Sequence, residues 1–179
     1  MFTRAITRPP GRYFSLGLTQ SNLGPPDLDT ALQQHASYIS ALENCGLQVQ
    51  VLPPLDAYPD ATFVEDVALL TPACAIVLNP GAPTRKGEAS RITSALEPNF
   101  EHIYRINEPG TVEGGDILMI GSQFYIGITE RTNLNGAEQV IDILESHDLS
   151  GIPVDVKDLL HLKTDLSCLD EQTILTSGE

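Results

Sequence analysis

Three stretches of this chain read alike. TFVEDVALLTPACAIVLNPG begins at Thr62, TVEGGDILMIGSQFYIGITE at Thr111, and TDLSCLDEQTILTSGE at Thr164. Each sets an acidic residue ahead of a short apolar strand, a turn and commonly a second strand. Asp66, Asp116 and Asp165 fall 50 and 49 residues apart, a spacing typical of arrays that stack one supersecondary unit repeatedly, as propellers do. Helical patterns fall between the strand pairs. The first runs from about Asp27 to Cys45, with Leu28, Leu32, Ile39 and Leu42 on one face and Gly46 as its stop. The second starts near Gly87, carries Ile92, Ala95 and Leu96, and breaks at Pro98. The third runs from about Asn135 to His147, with Val140, Ile141 and Leu144 on its apolar side. Counting back fifty residues from Asp66 reaches Leu16, so the chain is expected to hold three units and the opening strands of a fourth. A ring of repeats protects its edges by closing, and an array stopped part-way leaves an unpaired edge through which copies would associate.

The 179 residues suffice for one domain with a real core and are too few for two, so a single domain over 1–179 is expected. Ten Lys and Arg stand against 24 Asp and Glu, a net charge of -14. That balance disfavours nucleic acid and anionic membranes and concentrates a cationic ligand, although acidity also serves solubility alone. No apolar run reaches the length of a membrane span, and MFTRAITRPPGRYF has no apolar signal-peptide core, which points to the cytoplasm. Three widely spaced cysteines, Cys45, Cys74 and Cys168, fit neither a disulfide framework nor a zinc cluster, and no metal or cofactor is expected. Cys45 and Cys74 read as buried small hydrophobes.

Candidate chemistry gathers at five places. In VEGGD, Glu113 precedes two glycines and Asp116 at the start of a strand, where a backbone without side chains can approach a ligand closely; an ordinary turn has the same signature. YPDATFVEDVALL brings Asp60, Glu65 and Asp66 around Phe63. Along a strand Glu65 and Asp66 would face opposite ways, so one of them would be buried and in need of a cation, a role that suits a guanidinium. Arg85 and Arg131 sit in turn-like segments, where they would either grip the carboxylate of an amino-acid ligand or pair at the surface with Glu88 or Glu130. His161 introduces the strand-like run LKTDL, whereas His35, His102 and His147 read as structural.

PDATFVED, TRKGE, GTVEGGDILMIG, YIGITERTN and HLKT together resemble the dimethylarginine dimethylaminohydrolase family of guanidine-modifying enzymes, over the whole chain from LGLTQSNLG to ILTSGE. The resemblance implies an α/β propeller of the pentein type, built of ββαβ modules and here an incomplete ring. By that resemblance Glu113 and His161 are catalytic, Glu65 and Asp66 lie near the substrate guanidinium, and Arg85 and Arg131 lie at its amino-acid end. Asp60 and Phe63 would line the pocket, with Leu18 on a mobile lid. A cysteine near the far C-terminus of the family attacks the guanidinium carbon. This chain is expected to end before that cysteine and to be inactive alone, because Cys168, seven residues past His161, would face away along a strand. The implied substrate is a methylated arginine, converted to citrulline. Arginine deiminases share the scaffold but tend to carry an acidic residue after HL, and a non-catalytic arginine-binding protein is the alternative of another class.

Overall fold

The computed structural model describes residues 2–177, which fall in two compact units, one up to Val64 and one from Glu65 onward. In the first unit, β1 (Arg4–Thr7) leads to a 3-10 turn at Phe14–Leu16 and then to α1 (Leu28–Asn44), which crosses over to β2 (Gln48–Val51). β1 and β2 pair in parallel, the arrangement such a crossover permits. Asp27 caps α1 by accepting from the Thr30 amide, and the chain leaves the helix through Gly46 at a φ of 86°, a conformation that glycine adopts without a Cβ penalty. The less exposed stripe of α1 is Leu28, Ala31, His35, Ile39 and Leu42, and Leu32 stands outside it. Cys45 is exposed, contrary to the expectation of a buried position, because it caps the helix just where the backbone turns outward.

The second unit repeats one pattern. A 3-10 turn at Val64–Val67 leads into the antiparallel hairpin of β3 (Ala68–Leu70) and β4 (Ala75–Val77). Two 3-10 turns and α2 (Thr93–Leu96) follow, and β5 (Ile103–Arg105) returns parallel to β4. The next copy begins with a 3-10 turn at Gly114–Asp116. β6 (Ile117–Ile120) pairs antiparallel with β7 (Gln123–Ile128), α3 (Leu134–Glu145) crosses over, and β8 (Ser150–Asp155) lies parallel to β7. A third copy opens with α4 (Leu162–Asp165) and the hairpin of β9 (Leu166–Asp170) and β10 (Thr173–Thr176). The hairpins start at Ala68, Ile117 and Leu166, 49 residues apart each time, so the period read in the sequence is the period of the structure.

The helix expected from Gly87 to Pro98 is instead broken into a 3-10 turn at Ala89–Arg91 and the four residues of α2. Its apolar side, Ile92, Ala95 and Leu96, is buried nonetheless. α3 obeys the expectation: Asn133 caps it through the Gly136 amide, and Val140 and Leu144 are fully enclosed. They pack with Ile76, Leu78, Phe124 and Ile126 in a core that joins the two complete modules. Burial of such side chains at roughly 25 cal/mol per Å² is what holds sheet to helix in each module. Among the described residues, no helix is long and apolar enough to cross a membrane.

Candidate active site

The three copies each place a short helical turn immediately before a hairpin, and each turn of the second unit delivers functional groups. Glu65 and Asp66 lie on a 3-10 turn and not on a strand, so it is the turn that separates them: Asp66 is buried, while Glu65 is exposed and accepts from Lys163 Nζ at 2.9 Å. Asp116 likewise ends a 3-10 turn and is fully enclosed. His161 stands at the N-terminal cap of α4, so the strand expected to follow it directly begins only at Leu166. The intervening helical turn also removes the strand-parity relation between His161 and Cys168.

One staple recurs between modules. Asp66 Oδ1 accepts from the Gly115 amide of the next turn at 2.8 Å, and Asp116 Oδ1 accepts from the Leu162 amide of the turn after that at 3.0 Å. Each aspartate thereby fixes the backbone that carries the next functional side chain, Glu113 in one case and His161 in the other. Its second oxygen faces inward. Asp66 Oδ2 accepts from Arg85 Nη1, and Arg85 also donates to Glu88 through Nε and Nη2. All three side chains are buried. Burial alone would lower the Arg85 pKa, but Glu88 and Asp66 outweigh it and raise it above the ordinary arginine value, so the guanidinium stays charged.

Glu113 is fully buried. It accepts from the Ala82 amide at 2.9 Å and from Arg131 Nη1 at 3.1 Å, and it lies 3.5 Å from His161 Nε2. On the other edge of the ring, His161 Nδ1 lies 3.3 Å from Asp116 Oδ2, within ion-pair distance though outside hydrogen-bond geometry. Glycines make this approach feasible: a Cβ on Gly115 would lie 2.7 Å from His161 Cδ2, and one on Gly114 would run into the Glu65 carbonyl oxygen. The two glycines of VEGGD therefore make room for the chain's own histidine and backbone.

In the first unit, the Leu18 amide donates to Asp60 Oδ1 at 3.0 Å, Asp60 is buried and Phe63 is half exposed. The second unit brings together Asp66, Arg85, Glu113, Arg131 and His161. The sequence reading did not assign roles to Glu88, Asp116 or Thr132. Asp116 was signalled by its repeat position, Glu88 only as a neighbour of Arg85, and Thr132 by nothing. Asp66, Glu113 and His161 present ligand-type atoms within 4.8 Å of one another. Because Arg85 and Arg131 already engage the two carboxylates, a divalent cation there would face two guanidinium groups, and the set suits proton transfer better than metal binding.

Burial alone would lower the His161 pKa, but Asp116 foremost, and then the charges of Asp66 and Glu113, hold it above the ordinary value. The unfolded chain holds that proton less tightly. Protonated His161 thus contributes its full stability below about pH 6.5, and the contribution is lost as pH rises through the higher folded value. The thermal midpoint is expected to fall across that window, and to fall less in His161→Gln. An equal fall in both would remove His161 as its source.

Two antiparallel strands, a helix and a parallel third strand, repeated with carboxylates and a histidine on the preceding turns, define the chain as a pentein α/β-propeller protein. The N-terminal domain of a cyanobacterial arginine dihydrolase has the same fold, with a TM-score of 0.85 at 18% identity over 98% of this chain and 66% of that one. The family model described as N,N dimethylarginine dimethylhydrolase, eukaryotic, matches residues 27–176. The N(G),N(G)-dimethylarginine dimethylaminohydrolase of Pseudomonas aeruginosa is 47% identical over 100% of this chain and 71% of its own length. A solved structure of the P. aeruginosa enzyme, a cysteine-to-serine variant complexed with citrulline, superposes with a TM-score of 0.98 over 100% of this chain and 71% of that chain. This chain belongs to the dimethylarginine dimethylaminohydrolase family.

Proposed function

We propose that the chain carries the guanidinium-binding and acid–base part of an amidine hydrolase that converts asymmetric dimethylarginine to citrulline and dimethylamine. The observation that carries this reading is the buried convergence of Asp66 and Glu113 on His161, in a family whose P. aeruginosa member has been solved with citrulline. The buried carboxylates Asp66, Glu88, Glu113 and Asp116 outnumber Arg85, Arg131 and a protonated His161, so these side chains together keep a negative charge. A guanidinium substrate would complete the balance.

In this reading a cysteine thiolate adds to the guanidinium carbon, and His161 gives its proton to the departing dimethylamine. Neutral His161 then takes a proton from the water that attacks the S-linked intermediate, releasing citrulline and the thiolate. Glu113 and Asp66 stabilise the cationic carbon centre, with Glu65 at the edge of the same turn. Arg131, part-exposed, is the guanidinium with surface to offer the substrate's carboxylate; Arg85 would reach it only by releasing Asp66 or Glu88.

None of the three cysteines has the setting of the nucleophile. Cys74 is enclosed beside Thr71, and burial pushes its thiol pKa up, which disfavours the thiolate. Cys168 donates its S–H to the Asp170 carbonyl, and Cys45 caps α1. This reading assigns the attack to none of the three. Fusing the chain to the part of the P. aeruginosa enzyme that it does not match supplies the test. The fusion is expected to release citrulline from asymmetric dimethylarginine faster than from arginine, and the 179-residue chain is expected to release none. A folded but inert fusion would overturn the reaction, a preference for arginine would make it a deiminase, and release by the chain alone, abolished by Cys168→Ser, would move the nucleophile to Cys168.

A further inference from the structure

Two carboxylates at this site are fully enclosed, and they are compensated differently. Glu113 has Arg131 and the Ala82 amide. Asp116 has no such arginine: among the described residues, the cationic group within ion-pair distance of it is His161. Its remaining partners are neutral donors. Oδ1 accepts from the Leu162 amide at 3.0 Å, and Oδ2 accepts from Thr132 Oγ1 at 2.6 Å and Thr129 Oγ1 at 2.9 Å. Thr132 Oγ1 in turn accepts from the Glu113 amide at 3.1 Å, so one hydroxyl ties the backbone of Glu113 to the carboxylate of Asp116.

We infer that Asp116 is a positioning residue for the acid–base step: held by Thr129 and Thr132, it fixes the His161 ring through the Nδ1 edge and leaves Nε2 toward Glu113 and the substrate. The inference rests on His161 being the acid–base group. Which nitrogen keeps the proton when the ring is neutral follows from the charge balance. The Nδ1 edge faces a carboxylate with no other cation, whereas the Nε2 edge faces one already paired with a guanidinium, so Nδ1–H is the favoured tautomer. Nε2 is then the nitrogen that gives and takes the working proton. The groups facing the ring are Asp116 and Glu113 from the segment before β6 and Asp66 from the turn before β3. Arg131 and Arg85 stand on Glu113 and Asp66, and Lys163 of α4 is turned to Glu65.

Long-range proton–nitrogen spectra of the ¹⁵N-labelled chain read tautomer and titration midpoint separately from turnover. Neutral His161 is expected to carry its proton on Nδ1. Asp116→Asn is expected to lower the His161 midpoint by about one pH unit, tenfold in proton affinity, while Thr132→Val lowers it less and Thr132→Ser leaves it unchanged. A wild-type ring protonated on Nε2 would overturn the inference, and that result is available even where Asp116→Asn does not fold. An unchanged midpoint in a folded Asp116→Asn would overturn it as well. The tautomer can fail this test while the fusion still releases citrulline, and the reverse, so the two readings fall separately.

Discussion

Replacing Arg85 by alanine is expected to cost the fold about 3–5 kcal/mol, the usual penalty for removing one partner of a buried ion pair. The size follows from what stays behind. Asp66 and Glu88 are buried, and the guanidinium donates to both of them. Alanine would leave two buried carboxylates without the guanidinium that donates to both. Asp66 also staples the Gly115 amide, so its displacement would propagate to the turn that carries Glu113. Urea unfolding followed by far-ultraviolet dichroism measures the loss. Adding Asp66→Asn and Glu88→Gln to Arg85→Ala is expected to recover part of it, because the uncompensated charge and not the cavity is the dominant cost. A loss below about 1 kcal/mol would place the triad in the class of screened surface pairs.

What the sequence made legible was the repeat and the residue types it recycles. Strand hairpins announce themselves through short apolar runs, and the aspartate ahead of each one survives as a visible marker at Asp66, Asp116 and Asp165. That one of Glu65 and Asp66 would be buried and need a cation could be argued from polarity alone; the structure buries Asp66, and Arg85 meets the need. Of the turns, only GGD carries a turn signature in its glycines. VED and HLKTD look like strand beginnings because the apolar residues after them set the period, while a 3-10 or single α turn is too short to impose one of its own. The reading of Glu65 and Asp66 as opposite faces of a strand therefore gave the right separation through the wrong geometry.

Long-range polar contacts were illegible for a different reason. Thr132 lies 16 residues from Asp116 and 19 from Glu113, in a loop with no pattern to mark it, yet its hydroxyl joins them. Such a contact arises only once β7 and the turn before β6 are docked. The sequence places Arg131 in a loop, either for the carboxylate of a ligand or for its neighbour Glu130, and within the chain its partner is the enclosed Glu113. In both cases burial chose the partner: an enclosed carboxylate loses more by standing alone than an exposed one gains by pairing.

The two glycines of VEGGD are expected to respond to alanine in opposite ways, although they are adjacent and both sit tight. At Gly114 the new methyl would meet the Glu65 carbonyl oxygen, which is backbone and cannot rotate aside. The strain has to be met by moving the Val64–Val67 turn, and a stability loss of about 1–3 kcal/mol is expected from overpacking of this kind. At Gly115 the methyl would lie 2.7 Å from Cδ2 and 2.8 Å from Cγ of His161. A side chain can swing where a carbonyl cannot, so Gly115→Ala is expected to unfold at nearly the wild-type urea concentration with its imidazole displaced. In the fusion with the P. aeruginosa segment, that displacement should lower citrulline release by roughly 10²-fold, the scale of a misplacement of about 1 Å at a reacting group. The His161 titration midpoint should drop with it, because the ring leaves Asp116 and Glu113 together. Near-normal release and an unmoved midpoint in Gly115→Ala would mean that the ring tolerates the crowding where it stands, and that the second glycine of the motif serves only the Asp66 staple.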